Sequence, residues 1–250
     1  MTEIAQNQAL PDSQVERVLV VVAHPDDAEF WLGGTVAGWA DRGIEVSYCV
    51  LTDGEGGGFD PSVAREEIPD IRRAEQRRAA EALGVVHVLF LGIPEEGLRG
   101  VRSELHEELV REIRRVRPER VVTWSPEWNW QRFRSCHPDH LATGAAALEA
   151  IYPDASNRFA LPHLREREGL EPWTVREVWL LNSPPREINH YVDITCTFDR
   201  KVTAVQAHVS QIKDLSTLRD RLRERIAGNT MAAGLAEDRV AEAFQVVVTG

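Results

Sequence analysis

The chain has 250 residues, 43% of them hydrophobic and 28% charged, which suits one large domain or two small ones with a full apolar core and excludes disorder over most of the length. Its 40 acidic and 29 basic residues leave a formal net charge of −11, which argues against non-specific binding to nucleic acid or to an anionic membrane, since both need a positive field. Cys49, Cys136 and Cys196 are scattered, odd in number and without a CxxC pair, so a reducing cytoplasm is a better expectation than a disulfide framework.

Residues 1–14 are polar and acidic and read as a disordered leader ahead of a single domain over residues 15–250. They lack the basic start and apolar middle of a signal peptide. The longest aliphatic run, Val18–Ala23, is far shorter than the roughly 20 apolar residues that span a bilayer. Val15–Ala23 (VERVLVVVA) predicts a first strand, β-branched and apolar on both faces as buried parallel strands are. A helix around Leu32–Arg42 follows, with Gly43 placed to end it, and Ile44–Leu51 is the second strand. Thr52–Pro69 is a loop carrying GEGGG at Gly54–Gly58. Asp70–Leu83 predicts a charged amphipathic helix that Gly84 ends. Val86–Leu91 is the third strand, Val101–Val116 the third helix and Arg120–Trp124 the fourth strand. A loop rich in Trp and Pro covers Ser125–Asp139, and a helix runs from His140 towards Ile151. Beyond Tyr152 the pattern loosens: Val175–Leu181, Tyr191–Ile194 and Phe244–Val248 read as strands, Phe198–Val209 and Leu215–Ile226 as helices.

Strands alternating with helices through short connections imply an α/β fold: a Rossmann-like, mostly parallel sheet with helices on both faces, and a smaller C-terminal α+β extension. Such folds bind ligands at the carboxyl ends of their strands. There the first strand runs into His24-Pro25-Asp26-Asp27-Ala28-Glu29, whose imidazole and carboxylates suit a metal and a base acting on water. Taken alone, the segment reads equally as a solvated acidic turn capping the next helix. The loop after the fourth strand carries Cys136-His137-Pro138-Asp139-His140, whose two imidazoles lie three residues apart. In a parallel sheet the two clusters can face one another, and three protein ligands with an open position describe a catalytic rather than a structural zinc site.

Ala-His-Pro-Asp-Asp after the first strand and His-Pro-Asp-His after the fourth resemble the PIG-L (LmbE-like) N-deacetylase family, which includes the deacetylases of mycothiol and bacillithiol biosynthesis. The TDGEGGG loop at Thr52–Gly58, the Arg72…Glu75…Ala79-Ala80…Leu83-Gly84-Val85 helix and Phe90-Leu91-Gly92 extend the resemblance over residues 17–150. It implies that His24, Asp27 and His140 bind Zn²⁺ and that Asp26 is the general base on the attacking water. It further implies that His137 stabilises the tetrahedral intermediate or protonates the leaving amine, that Asp139 supports His137, and that Arg72 contacts substrate. By itself Arg72 reads equally as a surface helix charge. The chain departs from the mycothiol-pathway members at Ser135, where they carry a tyrosine able to polarise the carbonyl.

Weaker features have plainer readings. The glycine loop lacks the Gly-Lys-Ser/Thr of a phosphate loop and reads as a rim of the site. Trp124, Trp128 and Trp130 read as loop packing or as a sugar-stacking wall, Glu29 as a cap or a support for the metal site, and His190 and His208 as structural or surface residues. The resulting expectation is a cytoplasmic zinc-dependent hydrolase that removes an acetyl or other acyl group from the amine of an N-acetylated amino sugar or glycosylated small molecule. The resemblance also allows a homo-oligomer. The alternatives are an amidase acting on a thiol conjugate or natural-product amide, and a non-catalytic metal- or nucleotide-binding protein.

Overall fold

The computed structural model describes residues 9–94, 98 and 102–249. The apolar run after Glu16 becomes strand β1 (Arg17–Val22), at the centre of the parallel part of a seven-stranded sheet. It pairs on one side with β2 (Glu45–Val50) and on the other with β4 (Arg120–Trp124), both parallel. β3 (His87–Phe90) continues the sheet beyond β2, and β5 (Glu177–Leu181) beyond β4, again parallel.

The β1 side chains alternate between two cores. Val18, Val20 and Val22 meet Leu32 and Val36 of helix α1 (Asp27–Asp41) and Ala79 and Leu83 of α2 (Ile68–Leu83). Leu19 and Val21 meet Leu105, Leu109 and Ile113 of α3 (Arg102–Val116) and Ala147 of α4 (Pro138–Glu149). A strand buried on both faces has no polar side to spare, so its sequence reads as an unbroken aliphatic run. Gly144 lets α4 lie against β4, since a Cβ there would fall 2.2 Å from the carbonyl oxygen of Trp124.

The expected α/β fold is the observed one, with shifts at the element ends. α1 starts at Asp27 rather than near Leu32, because the HPDD turn is itself the helix start and its acidic first turn suits the helix dipole. α4 starts at Pro138, a residue whose fixed φ favours the first helical position. A short helix outside the expected pattern, α5 (Pro162–Glu168), precedes the one after Phe198, α6 (Phe198–Gln206), which is followed by a short 3₁₀ turn at Val209–Gln211, whereas α7 (Leu218–Ala232) runs past Ile226. Val101 lies outside the described residues, as do residues 1–8 of the expected leader. Residues 9–14 of that leader are held in place. The Leu10 amide donates to the Glu177 carboxylate at 2.8 Å, and Asp12 pairs with the buried Arg120 at 3.0 Å.

The C-terminal half extends the central sheet. β7 (Ala241–Val248) runs antiparallel to β5, and β6 (His190–Asp193) pairs antiparallel with β7 at the edge. A fully buried ion pair fastens this half to α1. Lys201 Nζ of α6 contacts Glu242 Oε1 of β7 at 2.6 Å, and the other Glu242 oxygen accepts from the Thr35 hydroxyl and amide. Breaking one side of such a pair strands a buried charge. Lys201→Met is therefore expected to destabilise the protein by about 3–5 kcal/mol, read as a lower urea midpoint with an unchanged slope.

Candidate active site

The direction of chain winding reverses between β1 and β4: β1 leads outward through β2 to β3, and the chain then returns to β4 on the other side. The crevice at the carboxyl ends of these two strands is where open α/β sheets bind ligands. The sequence puts one histidine cluster at each strand's exit, so the topology brings them together. The ring centroids of His24 and His140 are 5.3 Å apart, and those of His24 and His137 are 5.1 Å apart.

His24, Asp27 and His140 each present one donor atom, all within 4.8 Å of one another. His140 Nε2 lies 3.2 Å from Asp27 Oδ1, and His24 Nδ1 lies 3.6 Å from Asp27 Oδ2. The opposite ring nitrogens have oxygen partners. His140 Nδ1 is 3.0 Å from the Ser135 carbonyl, which can only accept, so this nitrogen carries the proton and Nε2 keeps its lone pair. His24 Nε2 is 3.1 Å from Asp139 Oδ2. Imidazoles that give one nitrogen to an oxygen and keep the other free have the arrangement of metal-binding histidines. Two imidazoles and one carboxylate with an open side also form the donor set of a catalytic zinc centre. Trp124 stacks on His140 with centroids 3.7 Å apart and planes 7° from parallel, fixing the ring from its other face.

The electrostatics call for a cation at this point. Burial by itself disfavours the His24 imidazolium, yet the Asp139 and Asp27 carboxylates outweigh it and the pKa is pushed up to about 10. Burial would raise Asp27, but His140 and His24 hold it well below the usual carboxylate range. The His24 imidazolium thus offsets the carboxylates around it, with the sign of charge that a divalent cation would supply.

Asp26 is held differently. Its backbone sits at φ 101°, ψ −25°, a left-handed conformation that aspartate tolerates better than most residues and that costs about 1–3 kcal/mol. Two residues of α2 hold it there. The Gln76 side-chain oxygen accepts from the Asp26 amide at 2.9 Å, and Arg72 NH2 donates to Asp26 Oδ2 at 3.1 Å. Burial raises the Asp26 pKa, and the Arg72 guanidinium opposes that shift only in part. A carboxylate poised above its ordinary range suits a general base.

Arg72 is not a surface helix charge, being only 4% exposed. Its guanidinium donates to the Gly54 carbonyl at 2.7 Å and to the Pro25 carbonyl. The glycine loop folds flat over it: a Cβ on Gly54, whose φ is +66°, would fall 2.0 Å from Arg72 NH1. These glycines therefore make room for an arginine of the same chain, which accounts for them without a phosphate. Behind Gln76, Glu29 accepts from its amide at 2.8 Å and faces the fully buried His208 at 3.2 Å.

His137 lies on the rim, with 51% of its side chain exposed. Its Nδ1 accepts from the Asp139 amide at 3.3 Å and lies 3.5 Å from Asp139 Oδ2. Asp139 therefore bridges both histidines and stands nearer His24 than His137. Ser135 contributes its carbonyl to His140, and its side chain does not stand in for the family tyrosine in any hydrogen bond of the described residues. Cys136 is a packing residue, its sulfur accepting from the Asn129 amide at 3.1 Å. Trp128 and Trp130 stack on Phe133 in an exposed aromatic wall. Sequence reasoning missed Gln76. The signal available was a polar residue one turn after Arg72, on the face of α2 that buries Ala79, Ala80 and Leu83.

The family model for PIG-L, the GlcNAc-PI de-N-acetylases, matches residues 19–151, which span both histidine clusters. The chain belongs to the PIG-L family. Among its relatives is the diacetylchitobiose deacetylase of Thermococcus kodakarensis, 34% identical over 208 residues, covering 82% of this chain and 73% of that protein. Another is a probable N-acetyl-α-D-glucosaminyl L-malate deacetylase 2 of Bacillus cereus, 32% identical over 78% of this chain and 83% of its own length. The solved N,N′-diacetylchitobiose deacetylase of Pyrococcus horikoshii superposes with a TM-score of 0.83 at 29% identity, covering 95% of this chain and 86% of that one. These three relatives are deacetylases by name. No helix among the described residues is long and apolar enough to cross a membrane.

Asp139 offers a direct test of how the imidazoles are held. Asp139→Asn is expected to weaken metal affinity about 10–100-fold, because the carboxylate that orients His24 becomes a neutral amide. Metal titration monitored by competition with a chromophoric chelator measures this. An unchanged affinity would show that His24 is oriented by something else.

Proposed function

We propose that this PIG-L protein is a zinc-dependent N-deacetylase that releases acetate from the amine of an N-acetylated, sugar-containing small molecule. The observation that carries the reading is the juxtaposition at one crevice of a His₂Asp donor set, a buried carboxylate outside that set and a rim histidine. His24, Asp27 and His140 would hold the ion, which when bound polarises the amide carbonyl and acidifies water.

This chain's own groups then divide the remaining work. Asp26 takes the proton of the water whose oxygen adds to the carbonyl carbon. Arg72 and Gln76 keep that carboxylate in its left-handed turn. As the C–N bond breaks, His137 gives a proton to the departing amine, because an amine anion is a poor leaving group, and Asp139 steadies the imidazolium. Acetate and the free amine are the products. The exposed Trp128, Trp130 and Phe133 wall supplies flat apolar surface on which a sugar ring can stack. The three free cysteines suit a cytoplasmic location, and one sheet shared by both halves suits a single domain over residues 15–250.

The test is acetate release from N-acetylglucosamine derivatives by the purified protein, before and after chelation, alongside its metal content. About one zinc per chain with chelator-sensitive acetate release supports the reading. Zinc without acetate, but with release of a larger acid from other amides, would favour the amidase alternative.

A further inference from the structure

The chain is strongly acidic, yet the cavities beside the metal site are not. Three of them, of about 310, 460 and 440 Å³, meet at Arg225 of α7. Their walls include Arg132, Arg134, Lys213, Arg221 and Arg225, and no aspartate or glutamate lines any of the three. In a protein with 40 acidic residues against 29 basic ones, this is a local reversal of charge at the mouth of the crevice.

Arg132 and Arg225 stand closest to the chemistry. Both guanidinium groups lie over the ring of Trp31, at 5.9 and 4.7 Å from its centroid. Trp31 packs edge-on against Trp124 at 5.2 Å, and Trp124 stacks on His140. Among the described residues, neither guanidinium forms a side-chain hydrogen bond or an ion pair. Burial lowers the pKa of each, and the charge of Arg132 lowers that of Arg225 further. Asp26 and Asp27 favour the charged Arg225 but neither forms an ion pair with it, and two like charges held together without a paired carboxylate are an arrangement that an arriving anion relieves. Ser183 makes an independent contribution. It is 2% exposed, it lines the same 310 Å³ cavity, and its hydroxyl has no hydrogen-bond partner.

We propose that the cavity walled by Arg132, Arg225 and Ser183 is an oxyanion subsite, which takes a carboxylate or phosphate group that the substrate carries beyond its acetylated amine. This rests on the deacetylase reading above and narrows it: the preferred substrate is an anionic N-acetylated sugar rather than a neutral one. Guanidinium groups bind carboxylates and phosphates alike through paired N–H donors, so the chemistry is shared and the substrate decides which is present.

Acetate release is to be compared for neutral diacetylchitobiose, for N-acetylglucosamine joined to malate at its anomeric carbon, and for N-acetylglucosamine 1-phosphate. One of the two anionic sugars is expected to exceed the neutral one in kcat/KM by about tenfold to a hundredfold, the scale of a charge-assisted hydrogen-bond pair. Which of them leads distinguishes carboxylate from phosphate. Added salt is expected to shrink the advantage. Arg225→Met and Arg132→Met are expected to collapse the preference towards unity, whereas Arg167→Met, which removes the same charge from an exposed site elsewhere, keeps it. Equal or greater activity on the neutral sugar, or a preference that survives both substitutions, overturns the subsite.

A second readout separates this proposal from the deacetylase reading. Malate or inorganic phosphate is expected to raise the unfolding midpoint of the wild-type protein and not that of Arg225→Met. Arg225→Met without anion is expected to be at least as stable as wild type, since it relieves the repulsion. If no sugar is deacetylated, the proposed activity has failed and this readout decides alone: a shift that depends on Arg225 supports the subsite, and no shift, or an equal one in both proteins, overturns it.

Discussion

Asp26→Asn is expected to lower kcat for acetate release by about 10²–10⁴-fold while metal content and unfolding midpoint stay at wild-type values. Asparagine tolerates the left-handed backbone at this position as aspartate does, so the substitution removes the proposed base and leaves the turn. It keeps an oxygen for Arg72 and the amide for Gln76. Asp26 makes none of the ligand-set contacts that Asp27 makes to His24 and His140. Steady-state kinetics beside elemental analysis of the same preparation would check both halves of the expectation. A kcat within a few-fold of wild type would transfer the role of base to another group. Loss of the metal would make Asp26 a ligand instead.

Asp27→Ala is expected to take the metal from about one per chain to near zero, with acetate release falling to the level of the chelated wild-type protein. Asp27 is 5% exposed and faces both imidazoles, and its Oδ2 also accepts from the His24 amide at 2.9 Å. Removing it deletes one proposed ligand, frees the HPDD turn and leaves two imidazoles facing one another with no carboxylate between them. A zinc-type centre acidifies water from a pKa of 15.7 to about 7, so its loss costs several orders of magnitude in hydrolysis near neutral pH. Elemental analysis and chelator-treated controls measure both effects. Full metal occupancy in the variant would remove Asp27 from the ligand set. The two substitutions therefore separate the adjacent carboxylates: Asp26 is expected to affect turnover alone, and Asp27 both metal content and turnover.

These neighbouring aspartates serve different partners because the backbone between them changes hand. At Asp26 the chain is left-handed and the side chain meets Arg72 and Gln76 of α2. At Asp27 it has entered α1, and the side chain meets His24 and His140. A regular helix start would send consecutive side chains about 100° apart without placing one of them against α2. The Arg72–glycine loop contact belongs to the same device, since only residues without a Cβ at Gly54 and Gly57 let the guanidinium reach the Pro25 carbonyl and Asp26 together.

The amino-acid sequence by itself determined the central β-α alternation, the exits of β1 and β4 as the places for chemistry, and the two motifs whose residues meet there. Its information was local: aliphatic runs buried on both faces, glycines at helix ends, and His-Pro-Asp clusters just past the strands. The resemblance gave Arg72 a place at the site, but the tertiary structure alone decided that it and Gln76 of α2 hold Asp26. Arg72 and Gln76 sit on a helix that reads as charged and amphipathic, and nothing in its periodicity says that two polar side chains turn inward to a turn some fifty residues away. The same holds for Asp139, which the motif assigns to His137 and which stands closer to His24. It holds too for Arg225, which α7 delivers to Trp31 from the far end of the chain. Local patterns record which residues lie on one face of an element. What each face meets is set by strand order and crossover packing, and the sequence encodes these only through the whole set of contacts at once.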